Sequence, residues 1–259
     1  MTFPTPDGPG TLLFYRPAST TATAPAGTRP PLLVLCHGGP TAAVEPGYDP
    51  GIQFWTSRGV AVAAVDYRGS DGYGRRFRRL LDGAWGVADA EDVTAAAAAL
   101  ADAGLVDGGR MAVRGSSSGG LTALRAATVG GPFAAAVVAY GVTDLARLAA
   151  DTHKFEARYL DRLVGPWPAA AARYDDRSPA RHPERIGAAV LLLQGLADPI
   201  VPPSQARALV GALQARGVRV ELVEFDGEGH GFRRADTRVA CWRAELAFLG
   251  EVLGFDPAP

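Results

Sequence analysis

The chain has 259 residues, of which 47% are apolar and 20% are charged, and its formal net charge is −1 at pH 7. A chain of this length can bury the core of one α/β domain, and its balanced charge offers no attraction for nucleic acid or an anionic membrane. The N-terminus lacks the basic and apolar segments of a signal peptide, and no apolar run approaches the roughly 20 residues of a membrane span. The two cysteines, Cys36 and Cys241, form neither a disulfide framework nor a metal-ligand pattern. We therefore expect no bound metal and a reducing, cytoplasmic location.

Short apolar runs alternate with segments of helical character along most of the chain, which predicts an α/β fold with a mainly parallel sheet flanked by helices on both faces. The predicted strands are residues 11–15, 32–36, 60–65, 110–113, 133–140, 188–193 and 218–225. The predicted helices are residues 51–57, 88–103, 121–128, 204–216 and 237–253.

Two glycines follow the first long apolar strand, in the sequence His37-Gly38-Gly39-Pro40. Glycine lets a backbone approach a cleft closely and turn its N–H groups into it. In a hydrolase on this kind of sheet, one N–H of the oxyanion hole comes from such a loop and a second from the residue after the nucleophile. We predict the Gly39 N–H as the first donor, although the tetrapeptide alone would also fit a plain turn.

The motif that organises the chain is Arg114-Gly115-Ser116-Ser117-Ser118-Gly119-Gly120. It joins a predicted strand to a predicted helix, which is the context of a nucleophile elbow of the form G-x-S-x-G. Small residues two positions on either side let the strand and the helix approach, and Gly115 and Gly119 supply them around Ser117. A register centred on Ser118 would put a serine at one of these positions and fits less well. Ser117 is therefore the predicted nucleophile, and the Ser118 N–H is the second oxyanion donor.

Residues 141–185 interrupt the alternation and carry several aromatic residues and prolines. In an α/β sheet, an insertion at this level lies over the carboxyl ends of the strands, where ligands bind. We expect it to form helical cover that makes one wall of the cleft.

A serine nucleophile needs a base, and three histidines follow Ser117 in the chain. His230 lies between two glycines directly after the last predicted strand, where the α/β-hydrolase order Ser, Asp or Glu, His places the base. His153 and His182 lie within or just after the insertion and are expected to be structural or at the surface. His230 is therefore the predicted base.

The acid that orients this base should follow an earlier strand. Asp198 lies on the loop after the apolar strand at 188–193. Asp226 and Glu228 compete for this role, but they lie so near His230 in sequence that they are expected to shape its loop instead. Asp198 is the predicted acid.

Taken together, these motifs resemble the catalytic domain of the prolyl oligopeptidase family of serine peptidases, and most of all its acylaminoacyl-peptidase-like branch. Ser118 departs from many relatives in that branch, which carry alanine there. The segments that carry the resemblance span nearly the whole chain in family order: 37–40, 67–74, Trp85-Gly86, 115–120, 152–156, Asp198 with Val201-Pro202, and 227–232.

The resemblance implies cleavage beside the acyl group of short peptides by a Ser-Asp-His mechanism with an acyl-enzyme. It also implies an apolar pocket for the side chain ahead of the scissile bond, lined by Val142, Phe155, Tyr159 and Val201. No cofactor is implied, the expected partner is a small peptide or acyl substrate rather than nucleic acid or membrane, and a homo-oligomer is left open.

Members of this family usually carry an N-terminal β-propeller that gates the active site. Here the catalytic domain begins almost at Met1, and no blade repeats precede it. We expect residues 1–259 to form a single catalytic domain, either cut from a longer protein or belonging to a hydrolase without a propeller.

Three functional hypotheses follow. The first is a serine peptidase acting on peptides or acylated amino acids. The second is a stand-alone esterase, amidase, thioesterase or acyl-transfer enzyme for a small metabolite, because fold and triad do not fix the substrate. The third is a non-catalytic binding protein, against which the intact set of Ser117, Asp198 and His230 argues.

Overall fold

The computed structural model describes residues 1–20, 24–151 and 158–256, and a sheet of eight strands forms its centre. The strands are β1 (Thr2–Thr5), β2 (Gly8–Tyr15), β3 (Leu32–Cys36), β4 (Ala61–Asp66), β5 (Met111–Ser116), β6 (Ala135–Ala139), β7 (Ala189–Gly195) and β8 (Val220–Phe225). Their order across the sheet is β1-β2-β4-β3-β5-β6-β7-β8.

The sheet is parallel from β4 to β8, whereas β2 runs antiparallel to both of its neighbours, β1 and β4. In the middle of the sheet, Val34 of β3 lies opposite Ala63 of β4 and Val113 of β5. The apolar runs of these strands are buried, as expected for parallel strands covered on both faces. Because parallel strands end at one edge, the loops after β3, β5, β7 and β8 meet there.

Helices cover both faces of the sheet, and two short 3₁₀ helices, Arg79–Leu81 and Pro183–Arg185, lie in the connections. The helices are α1 (Pro50–Thr56), α2 (Gly74–Arg78), α3 (Ala88–Asp102), α4 (Ser118–Ala126), α5 (Leu145–Asp151), α6 (Tyr159–Leu163), α7 (Ala171–Asp176), α8 (Pro203–Gln214) and α9 (Ala235–Leu253). One face of the sheet packs against α1 and α9, and the other against α3, α4 and α8. The predicted α/β-hydrolase class, a mostly parallel sheet with helices on both faces, is thereby confirmed.

The sequence prediction is wrong by three residues at the elbow, as it is at the start of β2. The predicted strand at 110–113 extends to Ser116, and the predicted helix at 121–128 begins at Ser118. The glycines and serines between them have low intrinsic strand and helix propensity, but neighbouring strands and the packed helix impose regular structure on them.

The described part of the insertion at 141–185 contains the short helices α5, α6 and α7, and its expected role as cover over the active site stays a prediction. His153 and Phe155 lie outside the described residues. No helix in the described ranges combines the length and the apolar character needed to cross a membrane. That residues 1–259 make up one domain stays a prediction.

Candidate active site

Ser117 lies in the single-residue turn between β5 and α4, and its backbone is strained. Its φ of 53° and ψ of −122° fall in a region that residues with a side chain rarely adopt. A side chain at Gly115 would collide with the Gly119 backbone, and one at Gly119 would collide with the carbonyl oxygens of Cys36 and His37. Only glycine fits at both positions, so the strand and the helix can approach and hold the Ser117 hydroxyl above the sheet.

Three side chains from distant parts of the chain meet at this turn. Ser117 Oγ lies 2.8 Å from His230 Nε2, and His230 Nδ1 lies 2.9 Å from Asp198 Oδ2. A carboxylate only accepts hydrogen bonds, so His230 donates its Nδ1–H to Asp198 and presents an unprotonated Nε2 to the serine hydroxyl. The three predicted residues are brought together in the order that nucleophilic activation requires.

Asp198 is held by the backbone of its own loop, which follows β7. Its side chain is fully buried, and its Oδ1 accepts hydrogen bonds from the Ile200 N–H at 2.9 Å and the Val201 N–H at 3.0 Å. One carboxylate oxygen is thus fixed by two amides while the other faces His230. The imidazole therefore has a fixed partner that sets its tautomer.

The loop that carries His230 is shaped by Glu228. This buried carboxylate accepts hydrogen bonds from the Arg233 N–H at 3.0 Å and the Arg234 N–H at 3.1 Å, and the Arg233 amide is the main cause that lowers its pKa. Glu228 thus organises the turn between β8 and α9, whereas Asp198 is the carboxylate that contacts His230.

Two backbone amides next to Ser117 are available as donors. Within the described residues, neither the Gly39 N–H nor the Ser118 N–H donates a hydrogen bond. The Ser118 amide is the first of α4, where helix geometry leaves N–H groups without an internal partner. Gly39 has a φ of 121°, a conformation that favours glycine. Both amides are therefore candidates for the oxyanion hole.

His37 fixes the peptide that carries the Gly39 N–H. Its Nδ1 lies 2.8 Å from the Gly38 carbonyl oxygen and its Nε2 lies 2.7 Å from Ser70 Oγ. Burial lowers the pKa of His37, and because a carbonyl oxygen only accepts, the neutral ring donates Nδ1–H to Gly38, while its Nε2 lies against a Ser70 hydroxyl that also donates to the Tyr67 carbonyl oxygen at 2.7 Å. In a trans peptide C=O and N–H point in opposite directions, so this bond turns the Gly39 N–H away from His37. The ring of Tyr67 stacks on His37 at 4.2 Å.

A cavity of about 310 Å³ opens beside Ser117. Three of the four residues predicted for the substrate pocket, Val142, Tyr159 and Val201, line it, and the fourth, Phe155, lies outside the described residues. The Tyr159 hydroxyl shares a hydrogen bond of 2.8 Å with Thr41 Oγ1, which joins α6 to the loop after β3. Further lining comes from residues that the sequence prediction had not assigned: Pro40, Trp85, Leu148, Leu160 and Ile200.

The sequence analysis did not assign several residues that line or border the site, because their position leaves little signal in the sequence. Tyr140 follows β6 with a φ of 40°, and its ring meets the edge of His230 at 5.1 Å. Trp85 and Ile200 reach the cavity through tertiary packing, although Trp85 had been noted as part of a motif.

His182 contacts Asp175 and Glu184 at the surface, as expected. In the described part of the chain, no group of three or more His, Cys, Asp or Glu could hold a metal ion.

Comparison with models of known protein families identifies the family to which the chain belongs. The model of the prolyl oligopeptidase family matches residues 46–256. The chain belongs to the prolyl oligopeptidase family. The family resemblance expected from the motifs is thereby confirmed.

The relatives that this chain matches include proteins of greater length. Dipeptidyl aminopeptidase BIII of Pseudoxanthomonas mexicana is 31% identical over 230 residues, which cover 86% of this chain and 33% of that protein. Acylamino-acid-releasing enzyme 1 of Oryza sativa subsp. japonica is 29% identical over 214 residues, which cover 79% of this chain and 28% of that protein. The chain thus spans about a third of the length of the curated relatives it matches.

Two solved structures are more similar in sequence. A puromycin hydrolase superposes with a TM-score of 0.96 at 44% identity, over 100% of this chain and 40% of its own. A puromycin-hydrolyzing peptidase of Mycobacterium tuberculosis superposes with a TM-score of 0.94 at 46% identity, over 97% of this chain and 38% of its own.

Proposed function

We propose that the chain is a serine peptidase that cleaves a peptide or acyl-aminoacyl bond through a covalent acyl-enzyme. The observation that carries this proposal is the continuous contact from Ser117 Oγ through His230 to Asp198, at 2.8 Å and 2.9 Å. Membership of the prolyl oligopeptidase family supports a peptidase.

In the proposed first step, Ser117 Oγ attacks the substrate carbonyl carbon while His230 Nε2 takes the hydroxyl proton. The imidazolium that forms is stabilised by the buried Asp198 carboxylate, which stays ionised. His230 then gives its proton to the departing amine, the C–N bond breaks, and the acyl group stays on Ser117 as an ester. Water activated by His230 hydrolyses that ester and restores the serine.

The negative charge that develops on the carbonyl oxygen is assigned to the Gly39 and Ser118 N–H groups. Their lack of other described partners supports this role, since they need not break a hydrogen bond when the oxyanion forms. His37 supports it further by orienting the Gly38–Gly39 peptide.

The cavity beside Ser117 is the proposed site for the side chain ahead of the scissile bond. Val142 and Val201 are almost fully buried and give it an apolar wall, and Tyr159 borders it from α6. Such a wall favours an apolar or aromatic side chain. Two similar structures are of puromycin-hydrolysing proteins, so puromycin is a candidate substrate of this chain as well.

Labelling with a fluorophosphonate tests the nucleophile. We expect one label per chain in the unmodified protein and none in Ser117→Ala. The neighbouring Ser118→Ala serves as the matched control and should still be labelled, because it keeps its backbone N–H. For Ser117→Ala we expect kcat to fall by roughly 10³-fold or more. Labelling that persists in Ser117→Ala would contradict the proposed mechanism.

Paired substrates test the bond class. Acyl-aminoacyl anilides and aryl esters of the same acyl group share the acyl-enzyme, so a peptidase should turn over both. Turnover of the esters alone would favour the stand-alone esterase that the fold also accommodates.

A further inference from the structure

A second cavity, of about 270 Å³, lies between α1, α9 and the ends of β3, β5 and β6. Its size is near the lower end of the roughly 300–1,000 Å³ typical of small-molecule sites. Four aromatic residues, Trp55, Tyr140, Phe232 and Trp242, line it together with Arg114. We call it the Arg114 cavity. Its described lining includes no member of the proposed triad, so the peptidase mechanism gives it no role.

Arg114 brings a hydrogen-bond donor to this cavity that the fold does not use. Its Nε and Nη2 form a fork with the two carboxylate oxygens of Glu245, at 2.9 Å and 3.0 Å. No described residue accepts a hydrogen bond from its Nη1, and the Arg114 side chain is 27% exposed, whereas Glu245 is fully buried. A buried ion pair is a poor source of stability, because desolvation offsets the attraction between the charges. A free donor edge beside an aromatic cavity indicates a ligand instead.

Tyr140 adds a second unused donor. Its hydroxyl has no hydrogen-bond partner within the described ranges, and Tyr140 and Arg114 line the same cavity. The ring is held in place by edge contacts with His230 at 5.1 Å and Phe232 at 5.0 Å. A guanidinium edge and a phenol that line the same cavity are complementary to a carboxylate.

The rim of the cavity carries one cation and one anion. The Arg238 guanidinium lies 5.9 Å from the Trp242 ring centroid and is exposed. The Asp49 carboxylate is already engaged by the Gly51 and Ile52 N–H groups of α1. Arg238 is therefore the rim charge that can meet an incoming anion.

We propose that the Arg114 cavity binds a small monocarboxylate with an aromatic body. The carboxylate accepts hydrogen bonds from Arg114 Nη1 and the Tyr140 hydroxyl, while the aromatic body packs against Trp55 and Trp242. Arg238 adds attraction at the rim. The site is separate from the proposed catalytic cleft, although Tyr140 contacts His230 from it.

Calorimetric titration with 3-phenylpropionate tests the site, with 3-phenylpropionamide as the uncharged comparison. The protein is first phosphonylated at the active site so that neither probe can enter the catalytic cleft. We expect saturable binding of one carboxylate per chain, with the amide at least fivefold weaker. Absence of binding, or equal binding of acid and amide, would overturn the proposal.

Two variants test whether the carboxylate binds in the Arg114 cavity, and both leave the ion pair of Arg114 and Glu245 intact. Tyr140→Phe keeps the ring and removes only the hydroxyl, and it should weaken binding about tenfold. Arg238→Gln should weaken it about threefold, as expected for an exposed ion pair. The matched control is Arg243→Gln, which makes the same charge change on an exposed residue of the same helix and should leave the affinity unchanged. If Arg238→Gln and Arg243→Gln bind alike and Tyr140→Phe keeps full affinity in a folded protein, the carboxylate does not bind in this cavity.

Discussion

At the scale of single residues, the oxyanion loop depends on one imidazole. His37 carries no proposed chemical step, yet its two ring nitrogens hold the Gly38 carbonyl on one side and Ser70 on the other. The Gly38 contact orients the peptide that donates to the oxyanion, whereas the Ser70 contact only anchors the ring. The two contacts can therefore be separated by substitution.

We predict that His37→Phe lowers kcat by about 10²-fold, the magnitude typical for loss of one oxyanion donor, with little change in KM. The ring can still stack on Tyr67, but no residue of the described ranges then bonds the Gly38 carbonyl oxygen. The oxyanion forms only after attack, so substrate binding should be spared. Ser70→Ala removes the Nε2 contact and the hydrogen bond from Ser70 to the Tyr67 carbonyl oxygen but leaves the Gly38 contact, so it should cost less than about tenfold. Equal losses in both variants, measured by steady-state kinetics, would contradict the role given to Nδ1.

The backbone N–H of Ser118 is assigned to the oxyanion hole, whereas its side chain has no assigned role. Its Oγ is buried and has no partner among the described residues. We predict that Ser118→Ala keeps activity and raises the free energy of unfolding by about 1 kcal/mol, because an unsatisfied hydroxyl is removed. The comparison is Ser178→Ala: the Ser178 hydroxyl donates to Tyr174 O at 2.6 Å and accepts from Leu145 N–H at 2.9 Å. That variant should lose about 1–3 kcal/mol in the same denaturant titration, and the opposite order would show that Ser118 Oγ has a partner.

At the scale of elements, the β5–α4 turn depends on glycines that admit no Cβ. We predict that Gly119→Ala costs about 3 kcal/mol or more and abolishes activity, because the new methyl group would meet two carbonyl oxygens that the sheet holds rigidly. Gly211→Ala is the matched control in the middle of α8, where a Cβ meets nothing within 4 Å. Helix propensity should make it more stable by roughly 0.5–1 kcal/mol. Thermal melts of the two variants should move in opposite directions.

The elements that could be predicted from sequence are those with a strong local pattern. The run at 32–36 and the alanine-rich run of α3 were located to within a residue, because apolar length and helix propensity act locally. The extension of β5 to Ser116 could not be predicted, since pairing with β3 and β6 imposes it on residues of weak strand propensity. The cavity residues Trp85 and Ile200 were missed for the same reason: their place depends on packing between segments far apart in the chain.

At the scale of the whole molecule, chain order predicts the class of the sheet but not its strand order. Alternation of strands and helices implies parallel neighbours, whereas the exchange of β3 and β4 in the sheet has no local signal in the sequence. The order matters for the site because it sets β3 directly beside β5. The loop after β3 therefore lies against the elbow, and Gly38 faces the Ser117 turn.

The two cysteines report on the integrity of this whole arrangement, because they lie on opposite faces of the sheet. Cys36 ends β3 within the core that α3 covers, and Cys241 lies on α9 within the other core. Burial raises the pKa of both thiols, that of Cys241 to about 12, so almost no reactive thiolate exists in the folded protein at neutral pH.

We predict that a thiol reagent such as dithionitrobenzoate labels neither cysteine in buffer at pH 8 and both in denaturant. Cys36→Ala should reduce the denatured value to one, and the rise in labelling should coincide with the loss of activity across a denaturant series. Stoichiometric labelling of a fully active protein would show that one face of the sheet opens independently of the other.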